Sequence, residues 1–331
     1  MLMEINWGII GCGDVTEKKS GPAFNKIATS KLVAVMRRDK RKAADYAKRH
    51  QVAEWYDDAD EIINHAAVNA VYIATPPDSH FEYAKHALAS GKMVYVEKPV
   101  TINAAEARAL SAYVDQTGGK LVVAHYRRQQ PYFKKIKSLL DQKVIGNVKQ
   151  VQLRFWRKNI TTQQLEDPRF LWRVDPAISG GGLFHDIAPH QLDMLYYLFG
   201  EAQMVYGLAE NSNALYRATD EVAALILFND KILFSGSWCF NCGQQNEQDT
   251  CDIIGDKGCI SFSFFDGNEI NVNANDLVER FIFDKLMHVQ QPMIESTVAY
   301  FRGEAENPCP IRSGVVVMEL MEKITAGRGR Q

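Results

Sequence analysis

The sequence predicts an α/β protein in two parts, a doubly wound parallel sheet followed by an α+β domain built on an antiparallel sheet. Three observations predict this. Short apolar runs alternate with helical stretches through the first third of the chain. From residue 202 onward, strand-like runs follow one another across turn residues. The chain has 331 residues, more than one core usually serves. The expected division is residues 1–124 and residues 125–331.

In the first part, apolar runs at residues 5–10, 32–36, 70–74, 93–96 and 121–124 read as strands, with a weaker one at 52–56. Helical patterns lie between them at 40–50, 58–65, 79–90 and 104–116. Strands alternating with helices of this length form βαβ units, hence a parallel sheet covered on both faces. Six such strands suit a dinucleotide-type domain. The rhythm then changes. A helix is expected at 132–142, a strand at 147–157, a polar loop over 158–169 and another helix after Gly180-Gly181-Gly182. Strands follow at 202–209, 221–228, 231–240, 251–255, 258–264 and 269–272, several of them separated by Asn229-Asp230, Asp256-Lys257-Gly258 and Asp266-Gly267. Consecutive strands across short turns mean an antiparallel sheet. Helices at 290–303 and 314–325 close the chain.

Composition narrows the functions open to such a chain. It is 46% hydrophobic and 24% charged, with a net charge of -2, and its basic residues are dispersed. Binding to nucleic acid or to a membrane surface through bulk electrostatics is therefore not expected. No apolar run is long enough to span a bilayer. A strand-like run begins almost at once, which leaves no room for a leader peptide and makes the cytoplasm the expected location. Six cysteines are expected to stay reduced there. Cys239 and Cys242 have a C-x-x-C spacing but no second ligand pair, so they read as buried or surface thiols.

The first strand runs into Gly11-Cys12-Gly13-Asp14-Val15-Thr16. Two glycines at this spacing suit a tight turn and close approach of a pyrophosphate, and a helix N-terminus beyond them supplies amide donors. Thr16 stands where a third glycine or alanine would complete the fingerprint, and Gly21-Pro22 implies a short or broken helix. At the end of the second strand, Arg37-Arg38-Asp39 offers guanidinium groups suited to a 2′-phosphate, which favours NADP over NAD. Asp39 also reads as the N-cap of the next helix. The fourth strand ends in Thr75-Pro76-Pro77-Asp78-Ser79-His80 and the fifth in Glu97-Lys98-Pro99. Both loops lie at strand carboxyl ends, where open α/β sheets bind ligands. Asp78 or Ser79 is the expected N-cap of the helix between these strands. Lys98 would direct its ammonium at the same crevice. Gly11, Gly13, Asp14, Val15, Thr16, Arg37, Arg38, Thr75, Pro76, Pro77, His80, Glu97 and Lys98 are the expected cofactor contacts.

In the second part, Ser179–Asp193 reads SGGGLFHDIAPHQLD. It places Asp186 and His190 four residues apart, on one face of a helix, beside glycines that admit a ligand. Imidazole with a carboxylate is a general-base arrangement. Asp186 could equally cap the helix, with His190 packed against it. A metal-assisted reaction using His185, Asp186 and His190 lacks a third-ligand spacing, so no metal is expected.

Together these motifs resemble the glucose–fructose oxidoreductase, inositol dehydrogenase and MocA (Gfo/Idh/MocA) family. The resemblance rests on Gly11-Cys12-Gly13, Ala74-Thr75-Pro76-Pro77 with His80, Glu97-Lys98-Pro99 and the run from Gly180 to His190. Tyr126-Arg127, Trp172-Arg173 and Asp175-Pro176 also match, and the likeness covers nearly the whole chain. It implies an N-terminal Rossmann domain and a C-terminal domain with a large open antiparallel sheet. It also implies NAD(P)-dependent oxidation of a carbinol carbon in a sugar, polyol or diol, or the reverse reduction. Lys98, Asp186 and His190 match the family's catalytic positions; Tyr126, Arg127, Trp172 and Arg173, with Asp186 and His190, are the expected substrate contacts. A homodimer or homotetramer through the C-terminal sheet is expected. Thr16 and Ala188-Pro189 depart from the family pattern. The alternative function is a regulator that senses NAD(P) without turnover, a role expected to have lost Lys98 or His190.

Overall fold

The computed structural model describes residues 3–274 and 277–327. These form two compact units. One contains the chain as far as Gln130 together with Leu286–Met318; the other contains Pro131–Lys285 and resumes at Glu319. The expected boundary at 124/125 stops short of Gln130, and the expectation placed 286–318 wholly in the second part. The physical reason is core packing: a helical pattern does not say which core its apolar face completes.

The first unit holds β1 (Ile5–Ile10), β2 (Ser30–Met36), β3 (Glu54–Tyr56), β4 (Ala70–Ile73), β5 (Met93–Val96) and β6 (Leu121–Val123). All are paired parallel in the order β3-β2-β1-β4-β5-β6. Between them run α1 (Asp14–Lys18), α2 (Gly21–Phe24), α3 (Lys40–His50), α4 (Ala59–Ile63), α5 (His80–Ala89) and α6 (Ala104–Thr117). Asp39, Asp58 and Asn103 start α3, α4 and α6 by accepting first-turn amides. Ser79 does not cap α5. A 3₁₀ turn over Pro77–Ser79 leads into that helix, and the Ser79 hydroxyl donates to Thr75 Oγ1 (2.8 Å) and Pro76 O (3.0 Å). An aromatic core of Trp7, Phe24, Tyr72, Tyr95 and Phe301 holds the sheet, with Trp7–Phe24 ring centroids 4.7 Å apart and Trp7–Phe301 5.6 Å. Phe301 belongs to the returning helix Gln291–Phe301. Residues at the far end of the chain thus complete this core.

The second unit holds α7 (Pro131–Asp141), β7 (Val148–Lys158), α8 (Thr162–Glu166), α9 (Pro168–Leu171), α10 (Pro176–Ser179) and α11 (Leu183–Phe199). Then come β8 (Ala202–Glu210), β9 (Glu221–Phe228), β10 (Ile232–Cys242), β11 (Gln248–Gly255), β12 (Gly258–Phe262), β13 (Glu269–Ala274) and β14 (Leu277–Ile282). They form one eight-stranded sheet ordered β14-β13-β12-β11-β7-β10-β9-β8. The pairings are antiparallel, as the large open sheet leads one to expect, except that β7 runs parallel to β10. Sequence neighbours predict hairpins, but β7 enters the sheet from far away in the chain, and nothing local sets its direction. β14 was not anticipated, and the expected polar loop over 158–169 carries α8 and the start of α9.

One sheet face carries α11. Phe184 meets Trp238 edge-on at 5.1 Å, and the Trp238 indole donates to Gln191 Oε1 at 2.6 Å. On the other face, Met204, Tyr206 and Leu208 of β8 are exposed, as are Leu225 of β9 and Leu233 of β10. Register places Tyr206 opposite Leu225, Met204 opposite Leu227, and Leu227 opposite Leu233. These side chains form a contiguous apolar strip, not scattered exposures. Among the described residues, no helix is long and apolar enough to cross a membrane.

Candidate functional site

In the first unit, the site begins where β1 turns toward α1. Gly11 takes φ +94°, and a Cβ there would lie 2.8 Å from the Thr75 amide nitrogen, so only glycine fits against the β4 loop. Gly13 is different. A Cβ on it would meet only Gly11 O, at 3.9 Å, so its own surroundings do not require a glycine. That open backbone fits close approach by a phosphate group. Thr16 does not reach outward: it is fully buried, its hydroxyl donates to Gly13 O (2.7 Å), and its carbonyl accepts from Tyr46 (3.0 Å). It closes the turn that a third glycine would otherwise occupy, so the side chain expected at the cofactor is engaged within the loop. α1 and α2 are short and separate, and Gly21 leaves no space for a side chain between Tyr46 and Thr16.

Arg37 lies beside this loop, donating from Nη1 to Cys12 O at 3.2 Å, while Arg38 is exposed. Asp39 is occupied by the amides of Arg41 and Lys42. A strand-end carboxylate that could take ribose hydroxyls is therefore engaged in capping.

The β4 and β5 loops are tied together by His80. The imidazole is fully buried, with Nδ1 2.9 Å from Pro99 O and Nε2 2.8 Å from Thr75 O. Burial pulls its pKa below the ordinary histidine value, against the pull of those carbonyls and of Glu97. Glu97 is also interior. Its Oε1 accepts from Tyr72 (2.6 Å) and from Gln290 Nε2 (2.6 Å), and its Oε2 accepts the Lys98 amide at 3.2 Å. Gln290 in turn accepts from the Tyr95 hydroxyl at 3.0 Å. His80 and Glu97, expected at the cofactor, thus face inward and hold its loops; their buried hydrogen bonds are the physical reason. Pro77 is buried as well. Thr75, Pro76 and the half-buried Lys98 remain at the strand ends. Gln290 escaped sequence reasoning because it acts across 193 residues of chain, and only a polar residue opening a helix hinted at it.

Tyr126 and Arg127 also belong to the first unit. They form a 3₁₀ turn over Tyr126–Gln129, both buried, with the guanidinium 5.5 Å from the tyrosine ring centroid.

In the second unit, the glycine run is a structural turn. Gly180 ends α10 in a left-handed conformation, Ser179 Oγ accepts the Gly182 amide at 2.8 Å, and Ala218 packs where a Gly182 side chain would project. α11 follows with Asp186 in its first turn. Asp186 meets Arg173 Nε at 3.4 Å, and the Arg173 guanidinium lies 4.5 Å from the Trp172 ring centroid. The structure therefore joins Trp172, Arg173 and Asp186, three of the expected substrate contacts, in one chain of contacts. His190 is 6% exposed and meets Phe265 edge-on at 5.6 Å. His185 is buried too, and burial pushes its pKa down to about 4. Pro189 sits inside α11 and has no amide to give the His185 carbonyl. The helix continues through it, so both candidate proton carriers stay on one regular element. Among the described residues, no cluster of three or more His, Cys, Asp or Glu could hold a metal ion.

Comparison with known proteins agrees with these two units. Residues 5–125 match an oxidoreductase family described as an NAD-binding Rossmann fold, and residues 133–261 match the GFO/IDH/MocA C-terminal domain. The chain is 45% identical over 322 residues to oxidoreductase P35 of Formosa agariphila, covering 97% of this chain and 98% of that protein. It is 31% identical over 199 residues to inositol 2-dehydrogenase of Rhizobium meliloti, covering 60% of this chain and 56% of that enzyme. A levoglucosan dehydrogenase solved with NADH and levoglucosan shares the fold at a TM-score of 0.86, with 20% identity over 98% of this chain and 97% of that one. The chain is a member of the GFO/IDH/MocA family of NAD-binding oxidoreductases.

Proposed function

We propose that this protein transfers a hydride between a nicotinamide cofactor, NADP in preference to NAD, and a carbinol or carbonyl carbon of a sugar, polyol or diol. One observation carries this reading. Gly11, Thr75, His80 and Pro99 form a continuous chain of contacts that sets Lys98 at the end of β5, on the same sheet edge as the open backbone of Gly13. The substrate class follows from family membership and from the inositol 2-dehydrogenase likeness.

The nicotinamide, when bound, supplies the hydride chemistry. Gly11, Gly13, Asp14 and Val15 offer backbone to the pyrophosphate. Arg38, with Arg37 anchored on the loop, suits a 2′-phosphate. Thr75 and Pro76 wall the nicotinamide side. His190 takes the hydroxyl proton as general base, an imidazole being suited to acid–base work. Lys98 stabilises the developing alkoxide and can relay that proton. Asp186, with Arg173 and Trp172, binds a substrate hydroxyl.

The test is a panel of polyols, aldoses and diols scored for reduction of NAD and NADP. A responsive substrate whose turnover disappears in Lys98→Ala and His190→Ala supports the assignment. Unchanged turnover in both variants would overturn it. We also infer a homodimer or homotetramer through the exposed apolar strip of β8, β9 and β10. Light scattering of Tyr206→Glu with Leu225→Glu should show a smaller species than wild type.

A further inference from the structure

Cys239-Phe240-Asn241-Cys242 ends β10 and takes no part in the proposed hydride transfer. Along β10, Phe234, Trp238 and Phe240 are buried on the core face, and Leu233, Ser235, Ser237 and Cys239 alternate with them. Strict alternation would send Cys242 to the side of Phe240, away from Cys239. The ladder with β7 shows otherwise. Cys239 pairs with Trp156 and Cys242 with Lys158, so three steps of β10 are matched to two of β7 across an irregularity. Two strand steps span about 6.6 Å, within the roughly 4.4–6.8 Å between Cα atoms that a disulfide bridges. Both side chains are partly exposed. Burial, the neighbouring Cys239 sulfur and the Glu247 carboxylate raise the pKa of Cys242. Of the other cysteines, Cys12, Cys251 and Cys309 are buried, and Cys259 lies on β12 beside Ser261.

We propose that Cys239 and Cys242 are a redox-reversible dithiol that closes to an intramolecular disulfide in the presence of a low-molecular-weight disulfide such as oxidised glutathione. One protein thiolate attacks a glutathione sulfur, forming a mixed disulfide and releasing one glutathione thiolate. The second protein thiolate attacks the protein sulfur of that mixed disulfide and releases the other. The two protein thiols lose two protons and two electrons, and oxidised glutathione is reduced to two molecules of glutathione.

Closure reaches beyond β10. The Cys239 thiol donates to Asn241 Oδ1 at 3.0 Å, and Asn241 Nδ2 donates to Ser212 Oγ at 2.7 Å. Asp220 accepts the Ser212 amide at 2.8 Å. This network anchors the loop that carries Arg217, paired with Asp175 at 2.8 Å, and Ala218, packed on Gly182. A disulfide removes the thiol donor and weakens the anchor of a loop that leans on the start of α11.

The test uses the full chain, first reduced, then equilibrated with stepped ratios of oxidised to reduced glutathione, alkylated and mapped by tandem mass spectrometry. The expected product is a Cys239–Cys242 link that has lost two hydrogens, resists alkylation and reopens in reduced glutathione. Cys239→Ser and Cys242→Ser should each stop at a single glutathione adduct. Amides over 212–218 should exchange faster in oxidised wild type than in either oxidised variant. A wild type that halts at stable mixed disulfides, or stays fully alkylated with its circular dichroism intact, would overturn the dithiol. Unchanged exchange over 212–218 in the linked protein would overturn the coupling to the loop.

Discussion

The two units hold their candidate site residues in different ways. In the first, Lys98 is positioned by residues from all over the chain: His80 joins its turn to the Thr75 loop, and Glu97 is held by Tyr72 and Gln290. In the second, Asp186 and His190 share one helix face, with Arg173 and Phe265 meeting them from outside it. A lysine at a strand end has no regular hydrogen-bond ladder beyond it, so long-range contacts must fix it. A helix face fixes two side chains by its own periodicity. The Lys98 region therefore depends on tertiary packing, whereas the helix carrying Asp186 and His190 continues through Pro189.

The sharpest way to break this contrast is to remove the proposed proton handler of each unit. Lys98→Ala and His190→Ala should each lower kcat/KM by about 10²–10⁴-fold, the span usual for a positioned acid–base group. Steady-state kinetics on a responsive substrate checks this, and one variant with full turnover would put the chemistry in a single unit.

Acid should act on both units through their buried histidines and, lower down, through Glu17. His185 has its pKa lowered to about 4 from 6.5 by burial, so the folded state favours the neutral ring. The stability it contributes is complete above pH 6.5 and is lost as pH falls toward 4, on the order of 3 kcal/mol in all. Glu17 has its pKa lowered from 4.5 to about 2, first by Arg49, which donates to it from two nitrogens at 2.7 and 2.8 Å. Its contribution is complete above pH 4.5 and is lost only as pH falls toward 2. Hydrogen exchange should show the second unit loosening between pH 6.5 and 4, as the buried His80 also loosens the first below 6.5, and His185→Gln should flatten the second unit's share of that step.

Gln290→Leu tests the remote support of Lys98. It leaves the buried Glu97 Oε1 short of a donor and the Tyr95 hydroxyl short of its acceptor, at a cost of about 2–3 kcal/mol. Denaturant midpoints should fall, with added exchange confined to the first unit; an equal loss in the second would contradict the contrast. The smallest expected effect is on cofactor choice. Arg38→Ala should lower kcat/KM with NADP by roughly 10–100-fold, the worth of a hydrogen bond to a charged group, and leave NAD little changed.

These differences also govern what could be read without coordinates. The strands β1, β2, β4, β5 and β6, the break between α1 and α2, the Asp39 cap and the start of α11 are set by local periodicity and turn chemistry, so they were legible. The parallel pairing of β7 with β10, the existence of β14, and the return of 286–318 to the first unit depend on which surfaces meet, and no local pattern records that. The site divides along the same line. Gly11, Gly13, Asp186 and His190 follow from spacing, whereas the inward turn of His80, Glu97 and Thr16 depends on hydrogen bonds between segments distant in sequence.

The returning segment has a consequence for synthesis. Phe301 is part of the aromatic core of the first unit, and Gln290 is part of the network around Glu97. A ribosome that has released the first 130 residues has therefore not yet released a complete folding unit. The nascent sheet must wait, with Trp7 incompletely covered and a carboxylate short of its amide partner, while the whole second unit is made. A chaperone that shields apolar surface on emerging chains has its longest task here, and a transcript cut short before residue 290 would yield a β–α repeat unable to close its own core.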